Sequence, residues 1–374
     1  MIDKEIKKWR PGILSPRQLK ILTENGFICN SKDATIEDAA LDLHLSDNGW
    51  VMKGSIKLKN NESFSSIISK GCFCGDPIDL KGPITLSPNQ TYVVQLRETI
   101  DPKINGYAIC GQATGKSSIG RLDVLTRLIV DGCARYDQLP LDHFGTLYVE
   151  VTPITFPIIV KEGVSLNQLR FFRGNMELSL LDQEKLRIYD DLLVTSQNKG
   201  IDILSLNLSP CYIGSNNVIA FRAKRDFPKE RPIDLATADK YKIDPKDYWE
   251  PIKYSKKDFL EIEKEYFYIL RSKEKFKLPS DVGVYCQAIT ENLGEIRIHY
   301  AGFVHPGFGY NTNNGTPLIF EVRGHNVNAF LRDGELLANV LYYKTSELIE
   351  FETGDYDNQE LKLSKYFDMS VWEQ

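Results

Sequence analysis

The chain repeats itself once, and this limits what it can fold into more than any other feature. Four pairs of segments match in the same order along its 374 residues. "ALDLHLSD" (40–47) pairs with "LSLNLSP" (204–210), and "YVVQLRETIDPKINGYAICGQA" (92–113) with "FYILRSKEKFKLPSDVGVYCQA" (267–288). "GTLYVEV" (145–151) pairs with "TPLIFEV" (316–322), and "EGVSLNQLRFFR" (162–173) with "DGELLANVLYYK" (333–344). The offset stays between 171 and 175 in the last three pairs. Solenoid units run ~20–50 residues, so a spacing this long marks a duplicated domain. The expected division is 1–190 and 191–374.

Each copy has a β-rich pattern. "YVVQL", "TLYVEV", "FPIIV", "FYIL", "LIFEV" and "NVLYY" are short runs of apolar, aromatic and β-branched residues. Turn signals such as "SPNQ", "DPKING", "LPSD", "NTNNG" and "RDG" separate them. Many short strands so punctuated predict a barrel or a jelly-roll-like pair of sheets. The fold class is mainly β: tandem barrels with a few short helices. "SPRQLKILTENG" (15–26) carries a Ser cap, a Pro in the first turn and a Gly stop, and predicts one helix. "SSIGRLDVLT" opens a second short helix after Ser117. "KKDFLEIEKEYF" (256–267) is a third helix or a charged approach to a strand. The polar, Pro-rich span 223–258 reads as a long surface insertion in the second copy.

Composition excludes several classes. With 42% hydrophobic and 26% charged residues the chain is an ordinary globular one. A net charge of -5 argues against nucleic acid as the main partner, while a small anion needs only a local basic pocket. No apolar run reaches the ~18 residues of a membrane-spanning helix, and "MIDKEIKKWRPG" lacks the apolar core of a signal peptide. Seven cysteines, odd in number, fit free thiols in a reducing cytoplasm. Cys72 and Cys74 form a CxC, read as two thiols in or beside a strand. No second Cys/His pair stands at zinc-ligand spacing, and the HxE with PCxxC of zinc nucleobase deaminases is missing. The expected catalytic metal is none.

The stretch "ATGKSSIGR" (113–121) follows a strand-like run yet fails the phosphate-loop pattern, because Cys110 stands where its first Gly should be. Its chemistry still suits an anion. Ser117 and Ser118 open a helical turn with free N–H groups, Lys116 adds a point charge, and Arg121 a planar fork. The alternative is a capped turn with solvated cations. Further on, Glu150 interrupts the apolar run "TLYVEV". Strand alternation puts it on one face with Tyr148 and Thr152, opposite Val149 and Val151. It is either an outward-facing Glu of an amphipathic strand or a carboxylate with a purpose.

Taken in order, "GILS", "LDLHL", "GKSSIGRL", "ARYD", "TLYVEV" and "EGVSLNQL" resemble the dCTP deaminase branch of the dUTPase superfamily, in its double-length bacterial form. The resemblance covers the whole chain and is strongest over 105–173. It implies a distorted, mostly antiparallel barrel, a homo-oligomer with a trimer favoured, and sites at contacts between barrels. It further implies metal-independent conversion of dCTP to dUTP and ammonia in the cytoplasm, a step towards dTTP precursors, with Mg²⁺ arriving only on the substrate triphosphate. Carried over residue by residue, it makes Glu150 the general base and acid and gives Ser117 and Arg121 a part in the chemistry at the base. Arg135 would organise the catalytic region and Asp137 would contact sugar or base. Lys116, Ser117, Ser118, Arg121 and Gln168 would hold the nucleotide. Lys116 stands where the family usually has Arg, and "QLPLDHFG" (138–145) is longer than the family pattern.

Hydrolytic deamination needs such a set. Water adds to C4 of the base and ammonia leaves, so a group must take a proton from water and deliver one to N3 and to the amine. One partly buried carboxylate with a raised pKa can do both, which typically contributes ~10²–10⁴-fold.

The repeat also compares the two copies. Ser117 aligns with Glu291 and Arg121 with Glu295, whereas Glu150 aligns with Glu321. Carboxylates in place of a hydroxyl and a cation repel a triphosphate, so the second copy reads as a scaffold with a degenerate site. The Gly-rich "HPGFGYNTNNG" (305–315) is a hairpin loop or a cradle for another ligand. Three functions compete: the deaminase, a dUTPase or bifunctional enzyme, and a non-catalytic nucleotide-binding barrel. The C-terminus "KLSKYFDMSVWEQ" lacks the Gly-rich tail of a dUTPase. The segment after Arg173 lacks the Tyr- and Lys-bearing closing segment of single-domain deaminases, which keeps the third function open.

Overall fold

The computed structural model describes residues 2–31, 35–189, 192–194, 203–237, 242–288, 302–350 and 359–372. The expected domain boundary at 190/191 and the paired positions Glu291 and Glu295 lie outside these residues.

The first copy winds one sheet almost closed upon itself. Its main path runs through the strands Gln138–Leu139, Ile109–Gly115, Ser165–Arg173, Ala40–Met52, Thr91–Ile100, Gly145–Pro153 and Val124–Val130, with antiparallel neighbours throughout. Asp137 joins the two ends. Its backbone carbonyl accepts from Ala113 N–H at 2.8 Å, and its own N–H donates to the Leu128 carbonyl at 2.9 Å. Inside lie Leu43, Val94, Ala113, Leu128, Val149, Val151 and Leu169, all essentially without exposure.

The second copy uses the same pairings. The Val282–Ala288 strand lies against Leu336–Lys344, as Ile109–Gly115 lies against Ser165–Arg173. Thr316–Arg323 pairs with Phe267–Phe276, as Gly145–Pro153 pairs with Thr91–Ile100; Glu321 stands opposite Ile269 and Glu150 opposite Val93, one residue apart in register. Gly309 shows why the 305–315 loop is Gly-rich: its φ is +68°, and a Cβ there would stand 2.1 Å from the Phe276 carbonyl oxygen.

Local signals give the expected helices. Ser15 caps Pro16–Glu24, and its side chain and that of Gln18 form a reciprocal capping box. Ser117–Gly120 is a single helical turn. One open expectation is decided and one changes. Span 256–267 holds the strand Phe259–Ile262 and the start of Phe267–Phe276, because alternating burial of Leu260 and Ile262 outweighs the helical propensity of its charged residues. Span 223–258 is not simply a surface insertion. Ile233–Asp234 adds a parallel strand to Ile158–Val160 of the first copy, while Phe227, Ile233, Tyr248 and Trp249 are buried. Phe156 of the first copy sits edge-on to Phe227, Tyr248 and Trp249.

The copies therefore share a core, and buried ions cross the joint. Arg323 of the second copy ion-pairs through Nη1 with Asp123 of the first and donates to Thr155 Oγ1 at 3.0 Å. Asp123 has no exposed surface and accepts from Thr155 Oγ1 at 2.5 Å. Halving a buried ion pair typically costs ~3–5 kcal/mol. Arg323→Ala should lower stability by about 3 kcal/mol, seen as an earlier urea midpoint at unchanged slope. An unchanged midpoint would show that this pair does not hold the joint.

Candidate active site

The expected site residues separate into two groups. The first surrounds Glu150. Val149 and Val151 enter the barrel core as alternation requires, but the opposite face is covered rather than solvated. Met52, Leu58, Phe64 and Ile67 pack there with Tyr148, and Glu150 is only 2% exposed. Its carboxylate accepts from Ser55 Oγ at 2.7 Å, Ile56 N–H at 3.1 Å and Tyr136 OH at 3.3 Å. Burial raises its pKa against the pull of these donors and of Arg127.

Asp137 lies beside this group but is occupied. It accepts from Leu128 N–H at 2.8 Å and from Arg127 Nη1 at 2.9 Å, in a left-handed backbone conformation (φ 61°) that Asp tolerates. Its pKa too is raised by burial, with Arg127 opposing. Arg135 is exposed, and among the described residues its side chain makes no hydrogen bond or ion pair.

The second group is the 116–121 turn. Gly115 lets the chain pass close to the neighbouring strand, since a Cβ would stand 2.7 Å from Thr126 Oγ1. Ser117 is exposed and Ser118 buried, and the Ser118 carbonyl accepts from Ser364 Oγ at 2.6 Å. Lys116 Nζ ion-pairs with Asp42. Gln168 reaches Thr114 Oγ1 at 3.5 Å, within the strand pair that ends at Gly115.

Arg121 does not belong with Glu150. It is 3% exposed and turned into the joint between the copies. Its Nη2 donates to Gln359 Oε1 at 2.8 Å and its Nη1 to the Lys362 carbonyl at 3.1 Å. Its Nε lies 4.0 Å from Glu321 Oε1. Gln359 is itself held by the Pro317 carbonyl at 3.2 Å. The hydroxyl-and-cation turn of the first copy thus meets the strand carboxylate of the second.

Glu321 is 5% exposed, and burial pushes its pKa from an ordinary 4.5 up to about 8, with Arg121 opposing. Such a group exchanges protons near neutrality. Among the described residues no three His, Cys, Asp or Glu side chains gather as a metal site, and the seven cysteines are free.

The repeat exposed Glu321 as the partner of Glu150, yet comparing each turn only with its own strand hid the cross-copy meeting. Ser55, Gln359 and the 362–364 backbone carry no motif and had no signal.

A duplicated antiparallel barrel with a Lys-Ser-Ser turn and a buried carboxylate meeting at the joint defines the class: a tandem-barrel protein whose polar groups converge between its two copies. The chain belongs to the 2'-deoxycytidine 5'-triphosphate deaminase family: the family's N-terminal domain model matches residues 10–175 and its C-terminal domain model residues 175–367. Its fold is similar to the crystal structure of 2'-deoxycytidine 5'-triphosphate deaminase from Agrobacterium tumefaciens, with a TM-score of 0.81 and 28% identity over 91% of this chain and 100% of that one. No curated protein sequence matches it.

The Glu321 carboxyl generates a pH prediction. Its folded pKa lies above its unfolded one, so folding takes up a proton between about 4.5 and about 8. Its contribution to stability is therefore fully present below about 4.5 and lost as pH rises through about 8. Glu321→Gln should flatten this decline, with urea midpoints that differ less than the parent's between roughly pH 5 and pH 9. Equal slopes in the two proteins would mean that Glu321 is not held neutral.

Proposed function

We propose that this chain deaminates dCTP to dUTP and ammonia at a site built across its two copies, with Glu321 as the proton carrier. The carrying observation is that Arg121 of the anion-binding turn lies 4.0 Å from Glu321 and not beside Glu150. With a pKa near 8 the carboxyl is mostly protonated at neutral pH. It first donates that proton to N3 of the cytosine, which makes C4 electrophilic. The resulting carboxylate, facing Arg121, takes a proton from water as its oxygen bonds to C4. It passes that proton to the exocyclic amine, the C4–N bond breaks and ammonia leaves, and the hydroxyl on C4 returns its proton to the Glu321 carboxylate as it becomes the uracil carbonyl, which restores the starting carboxyl.

Lys116, Ser117 and Ser118 hold the phosphates, with Gln168 at the edge. Lys116 reaches them by leaving Asp42, and Mg²⁺ arrives as part of the substrate complex. We also infer a homo-oligomer, a trimer first among the options, working on the soluble deoxynucleotides of the cytoplasm. No helix among the described residues is long and apolar enough to cross a membrane.

A second reading keeps Glu150 as the proton carrier, with Arg135 and Asp137 beside it. It is favoured by the raised pKa of Glu150 and by the donors of Ser55 and Tyr136.

Paired variants separate the two. Glu321→Gln should lower ammonia release from dCTP by ~10²-fold or more while nucleotide binding survives, and Glu150→Gln should keep most turnover. The reverse pattern moves the chemistry to the first barrel. Chromatography of the products tests the reaction itself: dUTP with equimolar ammonia supports it, dUMP would add triphosphate cleavage, and binding without turnover would leave a nucleotide-binding barrel.

A further inference from the structure

Arg170 carries a charge that the mechanism above does not use. It sits in the Ser165–Arg173 strand opposite Gln112, on the same face as Gln168 and Phe172. At 2% exposure it is among the largest fully enclosed side chains. Its guanidinium carbon lies 3.8 Å from the ring centre of Phe303 and 5.8 Å from that of Tyr285, both from the second copy. Its Nη1 donates to Thr114 Oγ1 at 2.8 Å, whereas its Nε has no hydrogen-bond partner.

A buried guanidinium normally has a carboxylate against it. Among the described residues none is within ion-pair distance of Arg170, and Asp38 and Asp42 act on it only from further away. Asp42 is held by Lys116, and Asp38 lies 3.7 Å from His305 Nδ1. The guanidinium therefore has no carboxylate against it, beneath the strand end that leads into the 116–121 turn. The same Thr114 hydroxyl accepts from Gln168, so Arg170 and Gln168 converge on one oxygen two residues before Lys116.

The aromatic rings beside it hold the cation in place. The lower part of this face is an apolar seam, with Phe172 edge-on to Tyr343 and Tyr285 donating to the Gln112 carbonyl at 3.3 Å. The charge thus sits where the dry seam ends and the anion turn begins.

We propose that Arg170 is a positioning residue for the triphosphate end of the nucleotide: clasped by Phe303 of the second copy, it fixes Thr114 and Gln168 and supplies a standing positive charge under the Lys116 turn. The proposal rests on the deaminase reading for its ligand. It makes binding sensitive to phosphate number, which a purely structural arginine would not do.

The test compares equilibrium binding of dUTP and dUMP, which carry the product base and cannot be deaminated, for the unaltered chain, Arg170→Met and Arg170→Lys. The unaltered chain should prefer dUTP. Arg170→Met should narrow the dUTP/dUMP affinity ratio by roughly tenfold, and Arg170→Lys should restore most of it. If the Met variant does not fold, Arg170→Gln, which keeps donors and drops the charge, should show the same narrowing. A folded Met or Gln variant with the unaltered ratio, or a Lys variant as impaired as Met, would overturn the proposal. Ammonia release from dCTP is followed on the same unaltered sample. Its absence would sink the deaminase reading, while the affinity ratio would still decide the part of Arg170.

Discussion

Two ionisable groups on one copy meet two on the other, and the geometry of the joint depends on that crossing. Arg121 and Asp123, two residues apart on the turn after the Ser117–Gly120 helix, face Glu321 and Arg323, two residues apart on one face of a strand. The signs are reversed, so each cation has an acid across the seam. Buried ions contribute little net stability but penalise every arrangement that separates them. A slip of one residue would turn Glu321 and Arg323 to the opposite face of their sheet. A slip of two would bring Arg323 to Arg121. Only one register satisfies all four groups, and it is the one that brings Glu321 to Arg121 at the end of the 116–121 turn.

The duplication and the β class were legible because apolar alternation, turn residues and the repeat offset are local or linear signals. "YVVQL" and "TLYVEV" became the strands Thr91–Ile100 and Gly145–Pro153, and Ser15 capped its helix. What could not be read was which copy faces which. Alternation gave Glu150 a face but not the cover of Phe64 and Ile67, which comes from a segment some 80 residues earlier in the chain. The run 223–258 looked like a polar excursion because its buried aromatics, Phe227, Tyr248 and Trp249, are spread among charged neighbours with no period. Their burial depends on Phe156, which no spacing connects to them.

The two strand glutamates show one residue type in two environments. Each sits on the strand that pairs with its copy's long central strand, and burial raises the pKa of each. Glu150 accepts three hydrogen bonds from its own barrel, which favours the charged form and holds the carboxylate in place. Glu321 faces a cation at 4.0 Å, and its proton affinity is raised to the neutral range. A carboxylate already committed to Ser55, Ile56 and Tyr136 must break those bonds before it can work on a base. One that looks across an interface at a guanidinium can gain and lose a proton with less rearrangement.

Joining the copies in one chain changes what each must conserve. In an assembly of identical barrels every copy has to carry both the anion-binding turn and the carboxylate, because each contributes to two interfaces. Once two copies are covalently linked, a site of the kind proposed at their joint would draw its turn from one and its acid from the other, and the encounter is intramolecular. The second copy is then free to lose its hydroxyls and cations, as Glu291 and Glu295 at those sequence positions attest, provided it keeps Glu321. The first copy can likewise commit Glu150 to its own fold. Under the proposed cross-copy site, sequence decay in one copy is a division of labour across a joint whose register the Arg121–Glu321 and Asp123–Arg323 contacts maintain.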